Sequence, residues 1–259
     1  MTVVVDDPLI SRMAISRTLP LHESSRRLRD LYPECPRVYG VAVIGDLTRR
    51  RWWPLVEVLT TDRLRVMFDA AAAETDSRMA VAQQLAATLS HVVIGRVLPL
   101  LALEARAWDT GLENLWVHVD SEGAIDWVGV ADPTLRVLQE DPYFSGHSGL
   151  RRRHPARDRI VALPSEAALT TWVAHRSHRA LQPLFEKLCE VSEGAMTVSA
   201  MWHTAGSAVV GAATQVPLLA GSSELASMRR AQAVLDALVG FGAPVRGQSR
   251  SGRSKALLN

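Results

Sequence analysis

Apolar residues recur at intervals of three and four between positions 76 and 107, which is the spacing of one face of an α-helix. The repeating residues are Met79, Ala82, Ala86, Leu89, Val93, Val97 and Leu100. This pattern predicts a long helix with one buried face. Pro99 should kink it, because proline has no N–H for the carbonyl four residues earlier, and the glycine of "WDTG" (108–111) predicts its end.

The hydrophobic period changes in the middle of the chain. "LENLWVHVD" (112–120) and "AIDWVGVAD" (124–132) alternate apolar and polar residues on either side of "SEG". Such alternation around a short turn predicts a β-hairpin. Nearer the N-terminus, residues 8–31 read as a helical region interrupted at Pro20, and "DRLRVMFDA" (62–70) reads as a short strand.

Helical spacing returns in the last third of the chain. One helix should start at Ser165, with Glu166 in its first turn, and should break or kink at Pro183. Two more are predicted over 196–221 and 222–242. We therefore expect an α+β, mostly helical fold, in which a small antiparallel sheet (hairpin 114–130) is packed with N-terminal and C-terminal helices.

The same patterns suggest how the chain is divided. Residues 1–110 form an N-terminal helical region, 111–242 the sheet plus helices, and 243–259 a disordered basic tail. The first two parts are also compatible with a single compact unit.

Composition restricts the class of protein. With 47% hydrophobic and 22% charged residues, the 259-residue chain is typical of globular proteins, and a net charge of +2 is too small to suggest nucleic acid as a partner. The start of the chain is acidic where a signal peptide would be basic, and "HVVIGRVLPLLALEA" (91–105) is too short and too charged to span a bilayer. Two distant thiols, Cys35 and Cys189, fit a reducing compartment. We expect a cytoplasmic protein that binds neither nucleic acid nor membrane.

The most basic stretch of the chain is a candidate anion site. "EDPYFSGHSGLRRRHPARDR" (140–159) reads as a long loop that carries Arg151, Arg152, Arg153 and Arg157. Guanidinium groups bind carboxylate, phosphate or sulfate bidentately, and His154 could exchange a proton near neutral pH. The alternative is a solvated basic loop without a ligand. Shorter basic clusters occur at 26–29 and 49–51.

Two helical segments carry further candidates. His203 and Ser207 stand four residues apart, so they could act as base and nucleophile; the alternative is close helix packing through the small residues around them. His175 and His178 stand three apart and could share a metal ion, but no acidic third ligand has convincing spacing, and an exposed helix face is the alternative. We predict no metal site.

The back half of the chain resembles the FhuF-like family of ferric-siderophore reductases over about residues 80–242. The resemblance is carried by "HVVIGRVLPLLAL" (91–103) followed by "LENLWVHVD", and by "MWHTAGSAVVGAATQVPLL" (201–219) followed by a last helix. It implies that Trp202 and His203 line a cleft that faces an anionic ligand. Ser207, four residues after His203, is a further candidate for binding the substrate.

The family's C-terminal cysteines, which ligate a [2Fe-2S] cluster, have no counterpart here. The corresponding place holds "VRGQSRSGRSKALLN" (245–259), and no cysteine follows Cys189. Such clusters need thiolate ligands, usually four. No cluster ligand can be carried over, and we expect a divergent member that works without a cofactor.

Three functions are compatible with these features. The first is a cofactor-free enzyme of siderophore or specialised metabolism, with arginines holding an anionic small molecule and His154 or His203 as acid or base, for elimination or cyclisation. The second is a non-catalytic subunit that docks an acidic carrier protein or another partner; exposed Trp52, Trp53 and Trp108 would favour it. The third is a ferric-siderophore reductase with an altered tail.

Overall fold

The computed structural model describes residues 19–47, 50–145 and 159–246. The predicted candidates Arg151, Arg152, Arg153, His154 and Arg157 lie outside these residues. The helices in the described ranges are α1 (Pro20–Asp30), α2 (Glu57–Thr60), α3 (Arg63–Ala73), α4 (Arg78–Ser90), α5 (Val97–Glu104), α6 (Pro142–Ser145), α7 (Glu166–Val191), α8 (Val198–Ala220) and α9 (Glu224–Gly240). The strands are β1 (Ala42–Val43), β2 (Trp52–Pro54), β3 (Leu115–Val119), β4 (Ile125–Val130), β5 (Leu135–Leu138) and β6 (Ile160–Leu163).

The expected α+β, mostly helical architecture is confirmed, and the predicted hairpin is β3–β4. The sheet around it is mixed rather than purely antiparallel. Its strand order is β1-β4-β3-β2, with β1 parallel to β4 and the other pairs antiparallel. β5 and β6 form a separate parallel pair. Strands of two or three residues, such as β1 and β2, are too short to leave an alternating pattern in the sequence.

The long apolar segment 78–104 runs through the centre of the molecule. Of its predicted buried face, only Met79 is exposed; the other six residues lie in the main core. The irregularity is a π-turn at His91–Gly95, where the Arg96 N–H bonds to the His91 carbonyl five residues back. Pro99 falls in the first turn of α5, where a missing N–H costs little, so the expected kink is replaced by this wider turn before it.

The C-terminal helices pack on this central segment. α8 contacts α4 and α5, and α9 contacts both α7 and α8. Ser165 and Thr197 cap α7 and α8 by accepting hydrogen bonds from the third residue beyond them. One hydrophobic core joins residues from both halves of the chain, from Leu21 to Val245, so the described parts of 1–110 and 111–242 share it.

Four local predictions differ from the structure. Residues 63–73 are helix rather than strand, because Leu64 and Phe68, four apart, are the side chains that α3 buries. Pro183 lies inside α7, which continues to Val191, so the predicted break is absent and the alternative of a kink stays a prediction. The segment before "WDTG" ends at Glu104, where Ala105 adopts the left-handed conformation. Residues 243–246, predicted to belong to a disordered tail, are ordered, with Ala243 and Val245 buried.

One stretch of the described residues is long and apolar enough to cross a membrane. It lies within Arg78–Glu104, and 83% of its most apolar window is buried inside the protein. Most of this segment is therefore a core helix of the fold.

Candidate functional site

A cleft of about 700 Å³ opens where the start of β2 and the start of α3 meet the turn that follows β3. Its walls are mostly apolar and include Trp53, Val66, Met67 and Val119. Arg51, Asp62, Arg63 and Asp120 supply the charged groups of its lining. We call this site the Arg–Trp cleft; its volume and its mixture of apolar wall with few polar groups are typical of small-molecule sites.

Local backbone geometry builds the rim of the Arg–Trp cleft. Arg51 has a φ of 64°, a left-handed conformation that costs a non-glycine residue about 1 kcal/mol. It is held there because its carbonyl accepts a hydrogen bond from Val119 N–H. On the other side, Asp120 Oδ1 accepts hydrogen bonds from the backbone N–H groups of Glu122 and Ala124, which fixes the hairpin turn.

The guanidinium of Arg63 is the best-positioned cation of the cleft. It lies over the indole ring of Trp53, with its central carbon 4.8 Å from the ring centroid. Its Nε donates to Glu57 Oε2 at 2.9 Å. No described residue accepts a hydrogen bond from its two terminal nitrogens, which leaves that end of the guanidinium for a ligand. Stacking and the Glu57 contact together restrict its orientation.

Trp202, predicted to line a ligand cleft, is instead a core residue. Its indole N–H donates to Gln182 Oε1 at 2.9 Å, and only 1% of the residue is exposed. His178 stacks on its ring at 5.3 Å, and Phe185 meets it edge-on at 5.2 Å. The tryptophan anchors α8 on α7, so this part of the resemblance corresponds to helix packing.

The predicted His203–Ser207 pair does not form a side-chain contact. The Ser207 hydroxyl donates to the backbone carbonyl of His203 at 3.0 Å, and both residues lie on the exposed face of α8. The alternative, close helix packing through small residues, is seen at the neighbouring Gly206. Gly206 faces the carbonyl of Val245 so closely that a Cβ there would lie 2.1 Å from its oxygen.

His175 and His178 contact aromatic rings. Both lie near Phe241, at centroid distances of 5.4 and 6.0 Å. Burial lowers the pKa of His178, and the neighbouring positive charges of His175 and Arg179 lower it further. No group of three or more metal-ligating side chains occurs within residues 19–47, 50–145 and 159–246.

The structure also assembles a histidine–carboxylate pair on the sheet face opposite the main core. His118 Nδ1 lies 2.6 Å from Asp126 Oδ1, and Arg37 forms an ion pair with the other oxygen of the same carboxylate. Since a carboxylate only accepts, the Nδ1 atom carries the proton. The ring lies 5.4 Å from Trp52. Regular alternation would place Asp126 on the face opposite His118, because His118 is paired with Trp127. The pair forms at the register shift between His118 and Val119, which the alternating sequence pattern does not predict.

A second network of charged groups joins α1 to the segments that follow α5 and β5. Arg27 and Arg106 both donate to Glu104, and Arg106 also donates to Asp141. Tyr143 donates a hydrogen bond to Glu23, which lowers the pKa of that carboxyl. These guanidinium groups are already satisfied by carboxylates, so the network is better suited to joining elements than to binding an anion.

No family model, no curated protein and no solved structure matches this chain.

Proposed function

We propose that this protein binds an organic small molecule carrying an anionic group, and that it does so in the Arg–Trp cleft. The observation that carries the proposal is the exposed end of the Arg63 guanidinium, held over Trp53 at the edge of a mostly apolar cavity of about 700 Å³. Such a guanidinium presents two parallel N–H donors to a carboxylate, phosphate or sulfate. Arg51 adds a second cation on the same lining.

The proposal keeps the substrate class expected from the sequence and changes the residues that hold it. The sequence pointed to arginines in 151–157; the cleft uses Arg51, which belongs to the basic cluster 49–51, and Arg63. We place the protein among cofactor-free, FhuF-like proteins of siderophore or specialised metabolism, in the cytoplasm. That placement is supported by the cysteine-free segment after Cys189 and by the helix order of the resemblance.

Acid–base elimination or cyclisation would require a proton-transferring group beside the bound anion. Asp62, at the N-terminal end of α3, lines the cleft and caps no backbone N–H with its side chain. Its carboxylate is the described cleft group best suited to accept a proton, while the guanidinium groups would stabilise a leaving anion. The docking of an acidic carrier protein gains no support from the tryptophans, since Trp52, Trp53 and Trp108 are all buried.

Filling the cleft tests the proposal. The probe is 8-anilinonaphthalene-1-sulfonate, an aromatic sulfonate whose emission rises in apolar sites. Ser121→Trp places a large ring on the cleft lining, whereas Glu122→Trp adds the same ring to the same exposed turn outside it. We expect saturable binding to the wild type, retained in E122W and at least about tenfold weaker in S121W, because the indole takes the ligand's volume.

Natural ligands can be sought with the same variants. Wild type, S121W and E122W would be equilibrated with a metabolite extract, and the retained molecules identified by mass spectrometry. Anions retained by wild type and E122W but not by S121W would support the proposal. Equal dye binding by both tryptophan variants, or no saturable binding by the wild type, would overturn it.

A further inference from the structure

The charged groups of the Arg–Trp cleft differ in how far the protein itself satisfies them. Asp120 uses Oδ1 to hold two backbone N–H groups of its turn. Glu57, beside the cleft, is paired with Arg63 Nε. By contrast, the described residues offer no hydrogen-bond partner to the side chains of Arg51 and Asp62, or to the terminal nitrogens of Arg63. The cleft therefore presents two solvent-exposed guanidinium groups and one solvent-exposed carboxylate that can form hydrogen bonds with a ligand.

We infer that the ligand is a zwitterion with an apolar body, of the class of apolar α-amino acids and their close derivatives. This inference rests on the proposed function and names the ligand of the same cleft. The ligand carboxylate would meet the terminal nitrogens of Arg63, with Arg51 nearby, and its ammonium group would meet Asp62. A simple anion would leave the Asp62 carboxylate close to like charge, which disfavours binding.

Charged groups of both signs enter the cleft lining from adjacent backbone positions, because Asp62 immediately precedes α3 and Arg63 is its first residue. A ligand with a carboxylate and an ammonium group on one carbon atom carries the two complementary charges. Two guanidinium groups alone would instead suit a phosphate or a dianion.

The remaining surface of the cleft accounts for the apolar body of the ligand. Val66, Met67 and Val119 line it together with the ring of Trp53. Burying a hydrocarbon or aromatic side chain against these residues is favourable in proportion to the apolar area removed from water. A small polar amino acid would leave this wall uncovered, so we expect affinity to increase from alanine to phenylalanine.

Three probes of nearly equal shape separate the two charges. They are L-phenylalanine, 3-phenylpropanoate, which lacks the amino group, and phenethylamine, which lacks the carboxylate. Isothermal titration calorimetry on the full chain at pH 7 would give each dissociation constant. We expect phenylalanine to bind about tenfold more tightly than either analogue, because each analogue leaves one charged group of the cleft without its partner.

Two variants should change the affinities for the three probes differently. Asp62→Asn should weaken the binding of phenylalanine and of phenethylamine about tenfold, while 3-phenylpropanoate binds equally well or more tightly. Arg63→Gln should weaken the binding of phenylalanine and of 3-phenylpropanoate and leave the binding of phenethylamine unchanged. A variant that simply failed to fold would lose all three probes and the naphthalene dye, so the contrast between probes is informative in itself.

The outcomes distinguish the inference from the proposed function. If 3-phenylpropanoate binds as tightly as phenylalanine, or if Asp62→Asn weakens both equally, the zwitterion assignment is wrong and an anion site remains. If none of the three probes binds while the sulfonate dye still occupies the cleft in wild type and E122W, the assignment is also wrong. If the dye itself does not depend on the cleft, the proposed function fails.

Discussion

Replacing Gly206 by alanine is expected to detach residues 243–246 from α8 and to lower the free energy of unfolding by about 2 kcal/mol. A Cβ at position 206 would lie 2.1 Å from the carbonyl oxygen of Val245 and 3.0 Å from its carbonyl carbon. Both are backbone atoms, so no side-chain rotation can relieve the overlap. The segment that follows α9 must move away from the helix.

The magnitude follows from what that segment buries. Val245 is 5% exposed and Ala243 is 2% exposed. Returning a buried valine to water costs about 1.5–3 kcal/mol, and the alanine methyl group adds about 0.8 kcal/mol. Alanine in a helix interior recovers up to about 1 kcal/mol relative to glycine. The ion pair between Arg246 and Asp236 is largely exposed, so its loss adds little.

Gly211 provides a matched control in the same helix. Nothing lies within 4 Å of a Cβ built at this position. Gly211→Ala should therefore raise the free energy of unfolding by about 0.5–1 kcal/mol through helix propensity alone. Urea denaturation of G206A, G211A and wild type would measure both changes.

Amide hydrogen exchange would show which part of the protein is loosened by the Gly206→Ala substitution. The amide of Ala243 donates to the Leu238 carbonyl, so it should exchange faster in G206A while amides in the middle of α7 remain protected. If G206A is as stable as G211A and the amide of Ala243 keeps its protection, the close approach between α8 and Val245 is not a feature of the folded protein.

Three other changes have defined outcomes. The pKa of His91 is lowered from 6.5 to about 4, chiefly by burial, so its contribution to the free energy of unfolding is full above pH 6.5. That contribution is lost as the pH falls towards 4, by up to about 3 kcal/mol. Acid titration of wild type and His91→Gln, followed by circular dichroism, measures the loss, and parallel curves would contradict the prediction. Arg96→Met should lower the free energy of unfolding, measured by urea denaturation, by about 3 kcal/mol. Arg96 donates hydrogen bonds to the backbone carbonyls of residues 37, 40 and 126, and these acceptors would lose their donor. A change below about 1 kcal/mol would argue against these hydrogen bonds. Arg51→Gly removes a cation from the cleft and places glycine at a left-handed backbone position, so its free energy of unfolding should stay within about 1 kcal/mol of wild type while dye binding weakens. A large loss of stability would instead assign Arg51 a structural role.

Periodic stretches of the sequence predicted the long elements well. The hairpin and the helices of the last third lie close to their expected bounds, because the periodic pattern of each element is formed by residues close together in the sequence. Short elements were not predictable in this way. β1 contains two residues and is a strand only because Ala42 and Val43 pair with β4, more than eighty positions away. Residues 63–73 combine helical spacing with β-branched and aromatic side chains, and tertiary packing decides the outcome.

The candidate site was less accessible to sequence reasoning. The Arg–Trp cleft joins positions 51–67 to positions 119–123, and nothing in either stretch signals the other. The basic cluster 49–51 was a partial signal, since it contains Arg51. Trp202 illustrates the opposite error, because a tryptophan among small residues fits a ligand cleft and a tight helix interface equally well. Its burial and its contacts with Gln182, His178 and Phe185 distinguish the two, and none of these can be read from the sequence.

The π-turn at His91–Gly95 determines where the central segment can lose a residue. One additional residue is accommodated there, so the side chains after the turn are rotated by about 100° from where an uninterrupted α-helix of the same length would carry them. Deleting one residue within the turn would let a regular helix form, and it would leave the guanidinium of Arg96 facing its carbonyl acceptors because the deletion removes the surplus residue. A one-residue deletion within α5 would instead rotate all later side chains of that helix by about 100° relative to the core. The wide turn is therefore the position in this segment at which a deletion should be tolerated best.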